Sequence, residues 1–378
     1  MRTVEAIDIR SIYEQNLNFL IGSGASFGFL PTLSLSIKKE DGDSFTFETL
    51  AKKLEDDGHH RVYKLLFVDY YLSCLKDALP GNGLTGNPSE RQQEVLGEYK
   101  KFVKTIFDVI DKSGRNSGLC NIYTTNYDTC FELAFDDLIR SDKLNFHAND
   151  GALGFNSRNF HSKNFDTRVV RKSIFSGNDF QIPQINILHV HGSVSWQKES
   201  DTSISVGYIS SSYDLNISSV VGEFRDQLKK LLDSGCSEYS EVALMNDSLQ
   251  NVERELDGFM ADYRKMPIVN PTKWKFHETV FEEAYYQLLR HLSLELERPN
   301  SVLITYGFSF ADEHIRNLII RALSNPSLTL YVCCFNDAEK NRLEKIFHGN
   351  GNVILVRHKT EDMIFRRFNE SVFSLGRQ

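Results

Sequence analysis

The last quarter of the chain alternates short apolar runs with amphipathic segments. Apolar residues fill 301–306, 328–335 and 352–356, which predicts three strands, and the intervening segments 312–323 and 337–347 have the periodicity of helices. Such an alternation is typical of a parallel sheet, in which each crossover between strands is made by a helix. We therefore predict an α/β protein with a Rossmann-like parallel sheet, helices on both of its faces, and helical insertions.

Three more strands are predicted earlier in the chain. Residues 17–30 have the pattern of a strand followed by a helix, 119–124 that of a strand followed by a helix at 128–139, and 185–190 that of a third strand. The segment 145–184 is polar and poorly periodic, so we expect a loop-rich excursion there that covers one end of the sheet.

Two longer stretches have helical periodicity. In the first, 46–113, Ser89 and Gln92 have the spacing of a capping box, and apolar residues then recur on one helical face. These residues are Val95, Tyr99, Phe102, Ile106, Val109 and Ile110. The second stretch is helical and charged over 213–265, and a long amphipathic helix is predicted over 277–297.

We expect residues 1–378 to form one domain. The predicted sheet core comprises 14–30, 114–200 and 298–378, and the helical insertions comprise about 46–113 and 205–297. A chain of 378 residues exceeds one average domain, and a hydrophobic content of 41% supplies an ample core.

Charge and hydropathy exclude some classes of function. The formal net charge is −8 and lysine and arginine do not cluster, which argues against a protein that mainly binds nucleic acid. Nucleic acid would be contacted only through a partner. No apolar stretch approaches the roughly 18 residues that span a bilayer, and the N-terminus lacks the apolar segment of a signal peptide. We therefore expect a cytoplasmic protein with no membrane association.

The cysteines do not have the spacing of a metal site. They are Cys74, Cys120, Cys130, Cys236, Cys333 and Cys334, and no Cys-x-x-Cys pair occurs. Most lie in apolar runs, which favours reduced core residues. We expect no structural zinc and assign no metal ligands.

Polar or glycine-rich residues follow three of the predicted strands. The run at 17–21 leads into Gly-Ser-Gly-Ala-Ser at 22–26, a turn whose backbone N–H groups and following helix start could hold a diphosphate. Asn126 and Asp128 follow the strand at 119–124, and His191 follows the strand at 185–190. Open α/β sheets bind ligands at the carboxyl ends of their strands, so these segments are expected to converge on a dinucleotide.

In these motifs the chain resembles the sirtuin, or silent-information-regulator, family. The family's motifs are found here in order as Gly-Ser-Gly-Ala-Ser at 22–26, Thr-Thr-Asn-Tyr-Asp at 124–128, His-Gly-Ser at 191–193 and Gly-Phe-Ser at 307–309. The resemblance covers roughly the strand ends of the core and leaves the two long helical stretches unexplained.

The resemblance implies that NAD+ binds as the substrate. Asn126 would hold water or a ribose hydroxyl beside the anomeric carbon, and His191 would accept a proton, so these two residues are the candidate catalytic pair. Asp128 would accept a hydrogen bond from the nicotinamide carboxamide. The residues that would contact NAD+ are Gly22, Ser23, Gly24, Ala25, Ser26, Thr125, Asp128, Gly307, Phe308, Ser309, Asp312 and Asn336.

Two further segments resemble one branch of the family. Gly-x-Ser-x-x-Asp-x-His-Ile at 307–315 and Asn-Pro-Thr-Lys at 270–273 are similar to bacterial sirtuin-like proteins of anti-phage defence, which destroy NAD+. Members of about this length resemble the partner of a HerA-like hexameric ATPase. The resemblance thus implies an NAD+ glycohydrolase that forms a homo-oligomer and assembles with such an ATPase.

Other functions remain open from the sequence. A sirtuin-like fold could sense NAD+ or ADP-ribose without turnover. Protein deacylation and ADP-ribosyl transfer are disfavoured, because the two Cys-x-x-Cys pairs of the deacylase zinc module are missing.

Several candidate residues also have purely structural interpretations. Residues 22–26 could form a tight turn without a ligand, and Asn126 and Asp128 could form a turn or helix cap. Asp312, with His314, could line the site or only cap the following helix. Asn336 could contact the adenosine ribose, whereas Asp337 beside it could cap the next helix equally well. His189 lies two residues before His191 on the predicted strand and would face the same way, and we interpret it as a packed or site-wall residue.

Overall fold

The structure is a computed structural model, and it describes residues 2–31, 34–39, 44–82, 88–112, 118–155, 157–172, 179–200, 203–235, 237–270 and 283–375. The strands are β1 (Arg2–Val4), β2 (Asn16–Ile21), β3 (Ser34–Lys38), β4 (Ser44–Thr46), β5 (Leu119–Thr124), β6 (His147–Asn149), β7 (Ala152–Leu153), β8 (Arg158–Phe160), β9 (Val170–Lys172), β10 (Asp179–Gln181), β11 (Gln184–His189), β12 (Trp196–Lys198), β13 (Ile204–Val206), β14 (Ser301–Tyr306), β15 (Thr329–Cys333) and β16 (Val353–Val356).

The helices comprise α1 (Phe47–Asp56), α2 (His60–Tyr70), α3 (Glu90–Lys112), α4 (Cys130–Arg140), α5 (Ser219–Asp233), α6 (Tyr239–Ser248), α7 (Glu253–Tyr263), α8 (Glu283–Glu297), α9 (Glu313–Ala322), α10 (Asp337–Ile346) and the short α11 (Phe365–Arg367). The predicted capping box is present at the start of α3: Ser89 N donates to Gln92 Oε1 at 2.8 Å, and Gln92 N donates to Ser89 Oγ at 3.3 Å. The part of the predicted helix 277–297 that precedes Glu283 lies outside the described residues, as does the 271–276 segment.

Eight of the described strands form one sheet in the order β1-β16-β15-β14-β2-β5-β11-β6. Every neighbouring pair in this sheet is parallel. The predicted α/β class is therefore confirmed. Six strands, in the sheet order β11-β5-β2-β14-β15-β16, have the Rossmann order. The first of these six in the chain, β2, lies in the centre of the sheet. Because the chain leaves β2 toward β5 and later returns on its other side as β14, the carboxyl ends of these three strands surround a topological switch point.

Apolar clusters cover both faces of the sheet. On one face, Phe19 of β2 packs with buried residues of α3 and α4, such as Phe102 and Phe131. On the other face, Leu303 of β14 belongs to a buried cluster with residues of α8, α9 and α10, such as Leu292. This arrangement confirms the predicted helices on both faces. The helix α8 therefore contributes directly to the core, beside the strands that carry the candidate site.

Short strands are the main elements that the sequence pattern did not predict. The segment 145–184, expected to be loop-rich, contributes β6 to an edge of the main sheet and β7 and β8 to an antiparallel sheet with β12 and β13. The strand β1 forms the other edge of the main sheet, and β3 and β4 form a hairpin. Such strands are two to five residues long, so they carry too few residues for a period-two pattern to stand out.

A row of buried amides fixes the register of three central strands. Asn121 Nδ2 donates to Asn18 Oδ1 at 3.0 Å, and Asn186 Nδ2 donates to Asn121 Oδ1 at 2.8 Å. These residues are partners in the strand ladders of β2, β5 and β11, and all three are at most 2% exposed. A shift by one residue would leave these amides buried without partners, so the row disfavours other registers.

We expect Asn121→Ala to lower the free energy of unfolding by about 2–4 kcal/mol, because it leaves Asn18 Oδ1 without its donor and takes away the acceptor of Asn186 Nδ2. Urea unfolding followed by circular dichroism measures this change. Asn341→Ala, at an exposed amide of α10, is the control and should stay within about 0.5 kcal/mol of the wild type. Equal unfolding free energies for the two variants would contradict the role given to the amide row.

The contact between α8 and the sheet includes a histidine that titrates at low pH. Burial lowers the pKa of His291 to about 4, and its Nδ1 lies 2.7 Å from the hydroxyl of Tyr123. Burial also raises the pKa of Tyr123 well above its usual value, so the hydroxyl stays protonated and donates a hydrogen bond to the neutral imidazole.

Acid should therefore destabilise the protein through His291. Its pKa is lower in the folded chain than in the unfolded chain, so its contribution is present above about pH 6.5 and is lost as the pH falls toward 4. The loss amounts to about 3 kcal/mol. His291→Asn keeps an acceptor for Tyr123 without a titrating group, so its unfolding free energy should fall less over this range. Parallel pH dependences for variant and wild type would show that another group is responsible.

Among the described residues, no helix is both long enough and apolar enough to cross a membrane.

Candidate active site

The candidate site lies where β2, β5 and β14 end. The loop after β2 is hydrogen-bonded to the neighbouring motifs on both sides: Gly24 N donates to the carbonyl of Gly307 at 3.1 Å, and Thr125 N donates to the carbonyl of Ile21 at 3.1 Å. The glycine loop, the Asn/Asp motif and the Gly-x-Ser motif therefore meet at one edge of the sheet, at the switch point.

The glycine loop and the Gly-x-Ser motif approach each other backbone to backbone. A Cβ atom on Gly24 would lie 2.7 Å from the Cα of Gly307, a distance at which the backbone would have to move. Gly307 itself has a φ of 64°, in the left-handed region that favours glycine. Both positions therefore need glycine for structural reasons, whether or not a ligand binds.

The loop forms a single 3-10 turn, Ser23–Ser26, where the sequence predicted the start of a longer helix. A longer helix is prevented because Gly28 has a φ of 108° and Pro31 has no amide hydrogen. Ala25 N donates to the carbonyl of Gly22 at 3.0 Å. This amide, one of the donors expected for a diphosphate, is thus used within the turn, and the dipole of a longer helix is absent.

A buried polar cluster joins the loop to the Asn/Asp motif. Ser26 Oγ donates to Asp128 Oδ2 at 2.7 Å, and Asn126 Nδ2 donates to Ser26 Oγ at 3.0 Å. The three side chains are at most 7% exposed. Since the Ser26 hydroxyl proton points to the carboxylate, its oxygen accepts from Asn126, and the orientation of the Asn126 amide follows. The Oδ1 atom of Asn126 is then the group left to accept a hydrogen bond from a substrate.

Tyr99 completes this cluster, although the sequence pattern indicates only that it belongs to the apolar face of α3. Its hydroxyl lies 2.7 Å from Ser26 Oγ and 3.4 Å from Asn126 Nδ2. Burial, followed by the charge of Asp128, raises the pKa of Tyr99 well above its usual value, so the hydroxyl stays protonated. The sequence did contain a signal for this role, because Tyr99 lies on the predicted buried face of α3 and a buried tyrosine needs a hydrogen-bond partner for its hydroxyl.

Asp128 contacts both the polar cluster and the start of α4. One carboxylate oxygen accepts from Ser26, and the other accepts from Cys130 N at 3.1 Å, at the first residue of α4. It therefore stabilises the start of a helix and also belongs to the polar cluster. Each oxygen keeps a second lone pair, so these two bonds still allow Asp128 to accept from a substrate amide.

Backbone hydrogen bonds place the histidine motif beside the Asn/Asp motif. Val190 N donates to the carbonyl of Thr124 at 3.0 Å, and Val194 N donates to the carbonyl of Tyr127 at 3.0 Å. His191 lies between these two bonds, in a turn that follows the end of β11 at His189. The two catalytic candidates, Asn126 and His191, are therefore carried by adjacent strand ends.

His191 is paired with Asp312. Its Nε2 lies 3.1 Å from Asp312 Oδ2, and the side chains are 8% and 7% exposed. The other carboxylate oxygen, Oδ1, accepts from His314 N and Ile315 N at 3.0 and 3.2 Å and caps α9. Asp312 thus both lines the site and caps the helix, the two alternatives that the sequence left open.

The pairing determines which nitrogen of His191 can act as a base. A carboxylate only accepts hydrogen bonds, so Nε2 carries the hydrogen that faces Asp312, and the lone pair of the neutral ring is on Nδ1. Because the helix cap holds the carboxylate, the imidazole orientation is fixed as well. This is the arrangement of a histidine base with an orienting carboxylate.

The predicted common orientation of His189 and His191 is wrong. His189 is the last residue of β11, whereas His191 lies in the following turn, and their rings have different carboxylate partners. His189 Nε2 lies 2.7 Å from Glu132 Oε1, and its Nδ1 lies 3.1 Å from the carbonyl of Asn126. It is 3% exposed, as expected for a packed residue, but it also contacts a candidate catalytic residue.

The 266–270 segment contacts the histidine motif. Val269 N donates to the carbonyl of His191 at 2.8 Å, and the Tyr127 hydroxyl donates to the carbonyl of Val269 at 2.5 Å. Gly192 has a φ of 82°, and a Cβ there would lie 3.0 Å from the Cα of Ile268. The 266–270 segment therefore forms one wall of the site.

The rest of the predicted NAD+ set is spread around this edge. Phe308 is 8% exposed and packs against Phe310 with ring centroids 4.9 Å apart, which makes an apolar wall. Ser23 and Ser309 are exposed. The hydroxyl of Ser309 accepts from Ala311 N at 3.3 Å.

Asn336, three residues after the end of β15, caps α10 by accepting from Glu339 N at 2.9 Å. Asp337, the alternative helix cap that the sequence left open, is not the cap: it is the first residue inside the helix, and its carboxylate pairs with Arg357 Nε at 3.1 Å. The shift by one residue follows from the extended backbone of Asn336, which is the conformation that an N-cap requires.

Together, these residues could bind a polar substrate, accept a proton at Nδ1 of His191 and hold a hydroxyl or water at Asn126. The described residues contain no group of three or more acidic, histidine or cysteine side chains that could hold a metal ion. Compared with known protein families and with curated proteins, the chain matches neither a family nor a single protein.

Proposed function

We propose that the protein is an NAD+ glycohydrolase that releases nicotinamide and ADP-ribose. The observation that carries the proposal is the arrangement of Asn126 and His191 after the adjacent strands β5 and β11, beside the switch point, with His191 paired at 3.1 Å with Asp312, which follows β14. Dinucleotides bind at this place in Rossmann-type sheets. The four motifs that resemble the sirtuin family are the reason to choose NAD+ among dinucleotides.

Breaking the bond between nicotinamide and ribose develops oxocarbenium character on the ribose. The leaving group loses its positive charge on departure, so it needs no strong acid, and catalysis depends mainly on orientation. Asn126 holds water or a ribose hydroxyl at Oδ1, since its Nδ2 donates to Ser26. His191 accepts the proton at Nδ1.

Asp128 would orient the nicotinamide. Its carboxylate is fixed by Ser26 and by Cys130 N, and a fixed acceptor can hold the carboxamide of a bound nicotinamide in one orientation. This role rests on the resemblance to the family. The contacts of Asp128 are compatible with it.

An NAD+- or ADP-ribose-sensing module is the second candidate. Asn126 and His191 are 7% and 6% exposed, and turnover requires substrate to enter and products to leave. A closed site suits either a sensor or an enzyme that is inactive until a partner opens it. The His191–Asp312 pair favours the enzyme, because a sensor has no need of an oriented base.

The resemblance further leads us to propose a role in anti-phage defence through NAD+ depletion, in a complex with a HerA-like ATPase. Such an enzyme would harm its host if it were always active, so the isolated chain is proposed to be a weakly active homo-oligomer. Multi-angle light scattering of the chain, alone and with the ATPase, tests the assembly. A monomer with full activity alone would contradict this part of the proposal.

The function itself is tested by incubating the purified protein with NAD+, with and without its ATPase partner, and separating the products by liquid chromatography. Nicotinamide and ADP-ribose in equal amounts are expected. Binding of NAD+ by calorimetry without nicotinamide release under either condition would favour the sensor instead.

A further inference from the structure

His189 contacts the candidate site through the backbone of Asn126. Its ring is 3% exposed, and its Nδ1 lies 3.1 Å from the carbonyl oxygen of Asn126. A carbonyl can only accept a hydrogen bond, so Nδ1 carries a hydrogen whether the ring is neutral or charged. The ring therefore ties the end of β11 to the residue that bears the candidate catalytic amide.

The opposite side of the ring is held by Glu132. Its Oε1 lies 2.7 Å from His189 Nε2, and Glu132 belongs to the first turn of α4. Burial lowers the pKa of His189, but the charge and hydrogen bond of Glu132 and the bond to Asn126 outweigh it, so the pKa is raised. With acceptors on both sides, the ring is held in one orientation.

The His189–Glu132 pair is energetically unfavourable if its only role is to stabilise the fold. Glu132 Oε2 is buried without a hydrogen-bond partner among the described residues, and buried ion pairs are often no more stabilising than apolar side chains of similar size. The contact with Asn126 gives the pair a function that apolar residues could not supply.

We propose that His189 is a positioning residue that holds the backbone of Asn126, so that its side chain keeps the orientation needed for NAD+ cleavage. The proposal rests on the proposed function. The role requires no contact between His189 and the substrate. Misplacing a catalytic group slightly can cost about 10²-fold in rate, and partners behind a functional group typically contribute about 10- to 100-fold.

Two variants of His189 separate the hydrogen bond to Asn126 from the packing of the ring. The amide nitrogen of asparagine can replace Nδ1, so His189→Asn keeps a donor for the Asn126 carbonyl and gives up the contact with Glu132. The longer glutamine replaces Nε2, so His189→Gln keeps a donor for Glu132 and loses the bond to Asn126. Both variants remove the ring, so effects of packing alone should be similar in the two.

We expect His189→Gln to lower kcat by about 10- to 100-fold with KM changed less than about threefold, and His189→Asn to recover most of that loss. Thermal unfolding is measured alongside, and His189→Asn should have the lower midpoint, because it leaves the buried Glu132 carboxylate without its partner. The variant with the higher kcat is therefore expected to be the less stable one. Equal kcat values for the two variants, or kcat losses that follow the unfolding midpoints, would overturn the positioning role.

A second measurement does not depend on turnover. Hydrogen exchange by mass spectrometry should show faster exchange in peptides that cover 124–130 in His189→Gln, but near wild-type exchange in His189→Asn. If the wild type fails to cleave NAD+ and this difference is still observed, the proposed function is wrong but the contact with Asn126 is real. If the two variants exchange alike, the positioning role is wrong whatever the reaction.

Discussion

His191→Ala is expected to lower kcat for NAD+ cleavage by about 10²- to 10⁴-fold, the range for losing a positioned general base. The reason is that Nδ1 of His191, oriented through Nε2 by Asp312, is the proposed proton acceptor at the site. Asn126→Ala should be at least as damaging, since it removes the group proposed to hold the water or ribose hydroxyl. Nicotinamide release, followed by liquid chromatography at saturating NAD+, measures both effects.

The control for these variants is His348→Ala, at an exposed histidine away from the site, which should retain wild-type turnover. Circular dichroism and thermal unfolding establish that the site variants are folded. If either His191→Ala or Asn126→Ala cleaved NAD+ at the wild-type rate, the proposed mechanism would be excluded, although the protein would still be an NAD+ glycohydrolase.

Asp312→Asn should lower kcat by about 10²- to 10⁴-fold while α9 stays capped. Asparagine is a good N-cap, so its Oδ1 would still accept from His314 N and Ile315 N. Its Nδ2 would then face His191 Nε2 as a donor, which moves the imidazole hydrogen to Nδ1 and blocks the base. The loss therefore comes from the wrong tautomer in a folded protein.

Glu313→Gln is the matched control, because it removes one negative charge from the same turn at an exposed carboxylate that does not pair with His191. Asp312→Ala removes the cap as well, and should lose about 1 kcal/mol of stability that Asp312→Asn keeps. If Asp312→Asn turns over NAD+ like Glu313→Gln, the carboxylate does not orient the base and Asp312 serves only as a helix cap.

Much of the sheet could be predicted because the information is local. The strands β5 and β14 were predicted with their observed limits, and β15 and β16 were within about two residues of theirs. Buried parallel strands are continuous apolar runs, and the polar or glycine residues that end them are visible in the sequence. The edge strands β1 and β6 were not predicted, since three residues are too few to show a period-two hydrophobic pattern.

The candidate residues at the site were identified from their positions at strand ends, but their partners were not. Nothing local pairs His191 with Asp312, which lies beyond β14, or Tyr99 with Ser26 across 73 residues of chain. His189 and His191 illustrate the same limit, because a strand that ends one residue earlier than predicted turns the two rings toward different carboxylates.

The sequence by itself therefore determined the α/β class and which motifs stand at the strand ends. These depend on hydrophobic periodicity and on glycine and polar residues at fixed offsets within each segment. Only the tertiary structure decided which side chains touch, which nitrogen of His191 faces a carboxylate, and that Asn126 is held by Ser26 on one side and by His189 on the other. Such contacts join segments distant in the chain, and packing of the helices on the sheet selects them.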